Sequence, residues 1–253
     1  MTTQRLIEMH DIWAAASLLT RLPVPVEHER AGLRAAQAVW AWPIVGAALG
    51  AAAGIVAWTL LSLGAPTLLC AVGALALTAL ATGALHEDGI ADCADGLGGG
   101  NTKERAMAIM KDSRIGAFGA VALMLVLLGR AAAISELPAS QLIASLAAVG
   151  ALSRTVMAAA MRLPAARNGG LSAGVGRPSW MSIGLGSGLA LALSVLTVSN
   201  GLPVVLLSTA MPVVLFLGYA QRRLGGQTGD VLGATQQLAE LGALTGIAIA
   251  LST

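Results

Sequence analysis

Long apolar stretches alternate along this chain with shorter polar ones. A helix needs about 20 apolar residues to cross a bilayer core of roughly 30 Å. Runs near that length cover residues 44–63, 67–85, 115–134, 141–161, 181–199 and 203–220. A seventh, 231–251, holds Gln236, Gln237 and Glu240 within it. Pro212 falls inside the sixth and is expected to kink it. No long repeat or shift in pattern marks a second domain. The pattern predicts an all-α fold, a polytopic integral membrane bundle of about six to seven transmembrane helices. Residues 1–253 form one domain, with 1–43 as an N-terminal segment at the cytoplasmic interface. The apolar stretch 12–19 is short, follows Glu8 and Asp11, and runs into Arg21 and Pro23. That reads as an interfacial or re-entrant helix rather than a cleaved signal peptide.

The polar connections fall into two kinds. Residues 64–66, 135–140 and 200–202 are short and contain no Lys or Arg. The N-terminal segment and residues 86–114, 162–180 and 221–230 are longer, alternate with the short ones, and hold every Lys and Arg except Arg130 and Arg154. By the positive-inside rule this longer set faces the cytoplasm. Every dense polar cluster lies on that side. A transporter would be expected to place its key charges near mid-membrane, where Arg154 is the only candidate.

Composition supports lipid as part of the solvent. The chain of 253 residues is 56% hydrophobic and 11% charged, against about a quarter charged in an ordinary soluble domain. A net charge of +2 gives no global field for nucleic acid. Cys70 and Cys93 form neither a disulfide framework nor a zinc spacing. Glycines at 46, 50 and 54, and at 184 and 188, are read as close helix contacts rather than chemistry.

Candidate chemistry gathers in three blocks. The first runs from His86 to Gly100, directly after the second apolar run. If helix continues into it, Asp88, Asp92 and Asp95 share one face, with neighbours roughly 5–6 Å apart at their Cβ atoms. At an effective dielectric near 20, two such anions repel by roughly 2–3 kcal/mol. The cluster therefore asks for shared protons or a cation, and Mg2+ completed by water and phosphate oxygens fits. His86 suits a hydrogen bond to substrate. Glu87 points off the aspartate stripe. Gly98 and Gly99 sit in a glycine run whose amides could approach phosphate. In the second block, Lys111 and Arg114 offer positive charge to phosphate oxygens, and Asp112 could complete a metal shell or act as base. The third runs from Gly225 to Ala234, where Thr228 and Asp230 offer oxygens, a base, or simply a helix cap. Arg154 lies close enough to the same mouth to snorkel toward it or to pair with an aspartate. Arg167 and Arg177 could hold a nucleotide or face water. These blocks suit magnesium-dependent phosphoryl-group transfer.

At these residues the chain resembles the cobalamin synthases, the adenosylcobinamide-GDP ribazoletransferases of cobamide biosynthesis. The stretches that carry the resemblance are residues 20–25 (TRLPVP), 86–97 (HEDGIADCADGL), 110–116 (MKDSRIG) and 226–234 (GQTGDVLGA). They run in family order from the N-terminus to the last span. Glu87 stands where members commonly carry leucine, and Cys93 where threonine is more usual. The resemblance implies an inner-membrane, magnesium-requiring enzyme. It would join adenosylcobinamide-GDP to α-ribazole or its 5′-phosphate, releasing GMP and forming adenosylcobalamin or its phosphate. Homo-oligomerisation is left open. A CDP-alcohol phosphotransferase is the alternative enzyme, since Asp92-x-x-Asp95-Gly96 copies that family's opening, but the Ala-Arg pair expected next is absent. A transporter or membrane scaffold is the alternative of another class.

Overall fold

The computed structural model describes residues 6–252, except Asn168. The first five residues of the N-terminal segment, and Thr253, lie outside that range. The described residues are helical and connected by short turns. The elements are α1 (His10–Leu19), α2 (His28–Arg34), α3 (Trp42–Ser62), α4 (Thr67–Thr82), α5 (Leu85–Gly99), α6 (Lys103–Ile109), α7 (Ala117–Ser135), α8 (Leu142–Ala160), α9 (Leu171–Val175), α10 (Trp180–Val198), α11 (Leu202–Leu224) and α12 (Gly229–Ser252).

Five of these are long and apolar enough to cross a membrane: α3 with the 3-10 turn before it, α7, α8, α10 and α11. A sixth crossing exists if α4 and α5 are one broken span. The chain is thus a multi-pass membrane protein. Proline inside the first turn starts α3 and α11, where its missing N–H costs nothing. Helix α11 continues unbroken through Pro212. Large apolar side chains such as Leu125, Leu128, Leu207 and Leu215 stay exposed on the outside of the bundle, as a lipid-facing surface requires.

Two expected spans come out differently. The run 67–85 ends at Thr82, because Gly83 and Ala84 both take left-handed backbone (φ 64° and 55°) and turn the chain by 90° into α5. Glycine enters this region freely, whereas alanine there is strained. The seventh run does form a helix, α12, but it is not apolar enough to count as a span. Its Thr235, Gln236, Gln237 and Glu240 are buried against other helices rather than turned to lipid.

Gln237 and Glu240 are tied to polar and charged groups on three other helices. Glu240 of α12 takes ion pairs from Arg130 of α7 and Arg154 of α8. Arg130 donates to Gln237 at 2.6 Å, and Gln237 donates to Glu87 of α5 at 3.0 Å. Ionisable groups therefore do face one another inside the bundle, the feature sequence reading reserved for a transporter and saw only in Arg154. Their charges are mutually paired.

Small residues bring α3 and α8 together, as expected. A Cβ on Gly46 or Gly50 would run into the backbone of Gly150 or Leu146. Gly184 and Gly188 do not share that purpose, since a Cβ on either meets open space. Both cysteines are free and buried.

Candidate active site

The site begins at a crossing of α5 over the first turns of α12. A Cβ on Gly89 would lie 2.8 Å from the Asp230 carbonyl oxygen and 3.0 Å from the Gly233 Cα. A Cβ on Gly233 would in turn sit 3.3 Å from the Cα atoms of Gly89 and His86. With no side chains between them, the two backbones touch. That contact carries Asp88 and Asp92, on either side of Gly89, up to Asp230. Here the helix after the second run, conditional in the sequence, is realised, and the residues expected in a loop stand on a rigid scaffold.

A cavity of about 230 Å³ opens beside this crossing. Its walls come from His86 and Asp88 on α5, Asp230 and Gly233 on α12, Met157 and Met161 at the end of α8, Leu18 and Leu19 on α1, Trp42, and Arg167 with Val175. Asp88 is exposed to it, while Asp92 is half-buried and feels the negative charges of Asp88, Asp230 and Asp95. Asp230 receives the Thr228 hydroxyl at 3.3 Å and lies 3.8 Å from the Arg167 guanidinium. His86 is 2% exposed, and its Nε2 has no hydrogen-bond partner. Arg167 reaches the site because its loop is stitched to the turn before α12. Ala166 N–H donates to the Gln227 carbonyl, and Gln227 N–H donates to that of Pro164. A side chain on Gly226 would collide with Pro164.

Other expected residues are placed elsewhere, each for a local reason. Both oxygens of buried Asp95 accept backbone N–H groups at the start of α7, Gly116 at 2.6 Å and Gly119 at 2.8 Å. Asp95 therefore anchors a helix N-terminus, a favourable place for a carboxylate. Gly98 and Gly99 are not a phosphate-binding loop. They belong to the last turn of α5, where amides are used within the helix, and a Cβ on Gly98 would meet the Phe118 ring at 2.8 Å. Thr228 is fully buried, and its hydroxyl oxygen accepts the Val231 N–H at 3.2 Å, the helix cap foreseen as an alternative. Arg154 does not snorkel to the mouth, because Glu240 and Ser153 hold it in the bundle. Asp112 and Arg114 form an exposed ion pair before α7, and neither they nor Lys111 line the cavity. Hydrogen bonds from the Arg114 side chain and backbone lower the Asp112 carboxyl to about 2, so it is a poor proton acceptor.

Sequence reasoning did not find the far wall of the site. Asp11 on α1 is fully buried and clasped by the Nε and Nη2 of Arg34, each at 2.8 Å, and by the Trp40 indole at 2.9 Å. This pins the amphipathic N-terminus against Trp42. Burial pushes the Asp11 carboxyl up, but bonds from Arg34, Trp40 and the Glu8 N–H outweigh it and hold it below the usual carboxylate value. The signal was present as an aspartate directly before a short apolar stretch.

Among the described residues, no three His, Cys, Asp or Glu side chains converge as a ready-made metal cage. Magnesium rarely needs one, since it keeps several waters and takes one or two carboxylates plus phosphate oxygens. Asp88 and Asp230, on the rim of one cavity with Asp92 behind them, fit that requirement. The arrangement offers acidic oxygens for such an ion, a cation in Arg167, and a largely apolar chamber beside them.

A family profile described as cobalamin-5-phosphate synthase matches residues 11–248. An adenosylcobinamide-GDP ribazoletransferase of Sinorhizobium medicae is 43% identical over 95% of this chain and 97% of its own length. One from Rhizobium johnstonii is 42% identical over 95% and 97%, and one from Mesorhizobium japonicum is 40% identical over 97% and 95%. No solved structure matches the chain.

Proposed function

Because the chain belongs to the cobalamin-5-phosphate synthase family, we propose that it joins adenosylcobinamide-GDP to α-ribazole, or to its 5′-phosphate, with release of GMP. Relatives named for that activity align along nearly the whole chain. They favour it over the CDP-alcohol transferase, transporter and scaffold readings. The observation that carries the chemistry is the meeting of Asp88 and Asp230 on one cavity across the Gly89–Gly233 contact.

In this reaction a secondary ribose hydroxyl of ribazole, free in both acceptors, loses its proton as its oxygen forms a bond to the phosphorus nearer cobinamide. The bond from that phosphorus to the bridging oxygen breaks, and GMP departs with the electron pair. Asp88 and Asp230, with Asp92 behind them, would hold Mg2+, which would supply positive charge to neutralise the diphosphate. Asp230 is placed to take the hydroxyl proton, and Arg167 to steady phosphate oxygens. Such transfers depend mainly on positioning and electrostatics, which rigid helices provide. Asp95 supports the site by fixing α7 against α5. Asp112, Lys111 and Arg114 act at the surface, where they meet solvent or lipid headgroups.

The purified full-length protein should form the complete corrinoid and GMP in equal amounts only when magnesium is present. Corrinoid formation unaffected by a chelator would remove the metal from this account, and no GMP at all would remove the reaction. The active mouth faces the cytoplasm of the inner membrane, given where the Lys and Arg residues gather. A cysteine placed at Lys103 should then react in intact cells only with a membrane-permeant thiol reagent. Labelling by an impermeant reagent would reverse the orientation.

A further inference from the structure

A second cavity of about 380 Å³ adjoins the first, between α1, α2 and α9. Leu18, Trp42 and Val175 line both, so the two chambers share a wall. Among the described residues lining the second none is charged, and Ser17 supplies the only side-chain hydroxyl. Its other walls are mostly Ala and Gly. A Cβ built on Gly32 or Gly174, on opposite sides, meets nothing within 4 Å. Both glycines are exposed and so stand at its open side, and its volume falls within the roughly 300–1,000 Å³ usual for small-molecule sites.

Resting on the function proposed above, we infer that this chamber seats the base of the acceptor nucleoside. Ribazole carries an uncharged, two-ring aromatic base, which suits an apolar chamber with an indole in its wall. Its ribose, one bond away, then passes Leu18, Trp42 and Val175 to bring a secondary ribose hydroxyl to Asp88 and Asp230. The donor's diphosphate and guanosine are too polar for this lining, and a corrin ring is several times larger than a two-ring base. Base recognition is assigned to the N-terminal segment and the loop after α8, while the aspartate-bearing helices handle the phosphates.

The test fills the chamber. Gly32→Leu and Gly174→Leu add bulk where the backbone leaves room, so each should raise the KM for α-ribazole by about tenfold or more while leaving the KM for adenosylcobinamide-GDP within about twofold. An unchanged acceptor KM, or a rise confined to the donor, overturns the assignment. If the plugged variants instead shed bound phospholipid and keep their acceptor KM, the chamber is a lipid seat and the inference fails. The unaltered protein gives a second measure that needs no variant to fold. Benzimidazole alone should compete with α-ribazole and not with adenosylcobinamide-GDP, and competition with the donor would sink the idea. Wild-type protein that forms no corrinoid product defeats the underlying reaction as well. A working wild type with insensitive variants defeats the base seat alone.

Discussion

At the scale of single residues, the aspartates divide by what already touches them. Asp88 opens onto the cavity, and Asp230 shares it with Arg167, whereas both oxygens of Asp95 are committed to α7 amides. Asp88→Asn or Asp230→Asn should therefore lower kcat/KM by on the order of a hundredfold to a thousandfold with unchanged thermal stability. Asp95→Ala should first lower stability, by about 1–2 kcal/mol, as loss of a helix cap does. Asp112→Asn loses an exposed partner of Arg114 and should leave corrinoid formation close to wild type. The acidic stripe was legible in the sequence, because i, i+4 and i+7 fall on one face. Which member faced the cavity was not, since that depends on where α7 begins in space. Asp11 carries a pH signature. Its folded carboxyl value lies below the unfolded one, so its contribution is complete above the unfolded value near 3.8 and fades as pH falls through the folded value. Asp11→Asn should flatten the acid limb of a stability-against-pH curve, and an unaltered limb would argue against the clasp.

At the scale of elements, the decisive event is the bend after α4. Sequence pattern ran the second apolar stretch to residue 85, because Gly83 in a helical run resembles the many glycines of membrane helices. Only the left-handed backbone at Gly83 and Ala84 turns α5 aside to lie against α12. The glycine at 89, unremarked among so many, proves to matter through distance. Gly89→Ala places a methyl 2.8 Å from the Asp230 carbonyl, which should force the helices apart at a cost of about 1–3 kcal/mol. Turnover should fall further than this stability loss explains, as Asp230 moves away from Asp88. Gly184→Ala and Gly188→Ala, which meet open space, should leave activity unchanged. Equal activity in the Gly89 and Gly184 variants, measured as GMP release, would separate the crossing from the chemistry.

At the scale of the whole molecule, the apolar spans could be read from periodicity, but the internal charges could not. Arg130, Arg154 and Glu240 lie far apart in sequence, and nothing local announces that one carboxylate serves two guanidinium groups. Removing one partner of a buried pair typically costs about 3–5 kcal/mol, so Glu240→Gln should markedly lower the thermal midpoint in detergent, with Arg154→Met milder because Arg130 still pairs with Glu240. A Glu240→Gln protein as heat-resistant as wild type would mean these charges bear no such weight. The meeting of α5 with α12 also has a meaning for biosynthesis. Asp88 on α5 emerges from the ribosome well before its counterpart Asp230 on α12. A nascent chain that stops short of α12 thus carries half an acidic pair, and competence waits until that helix is made and seated against α5.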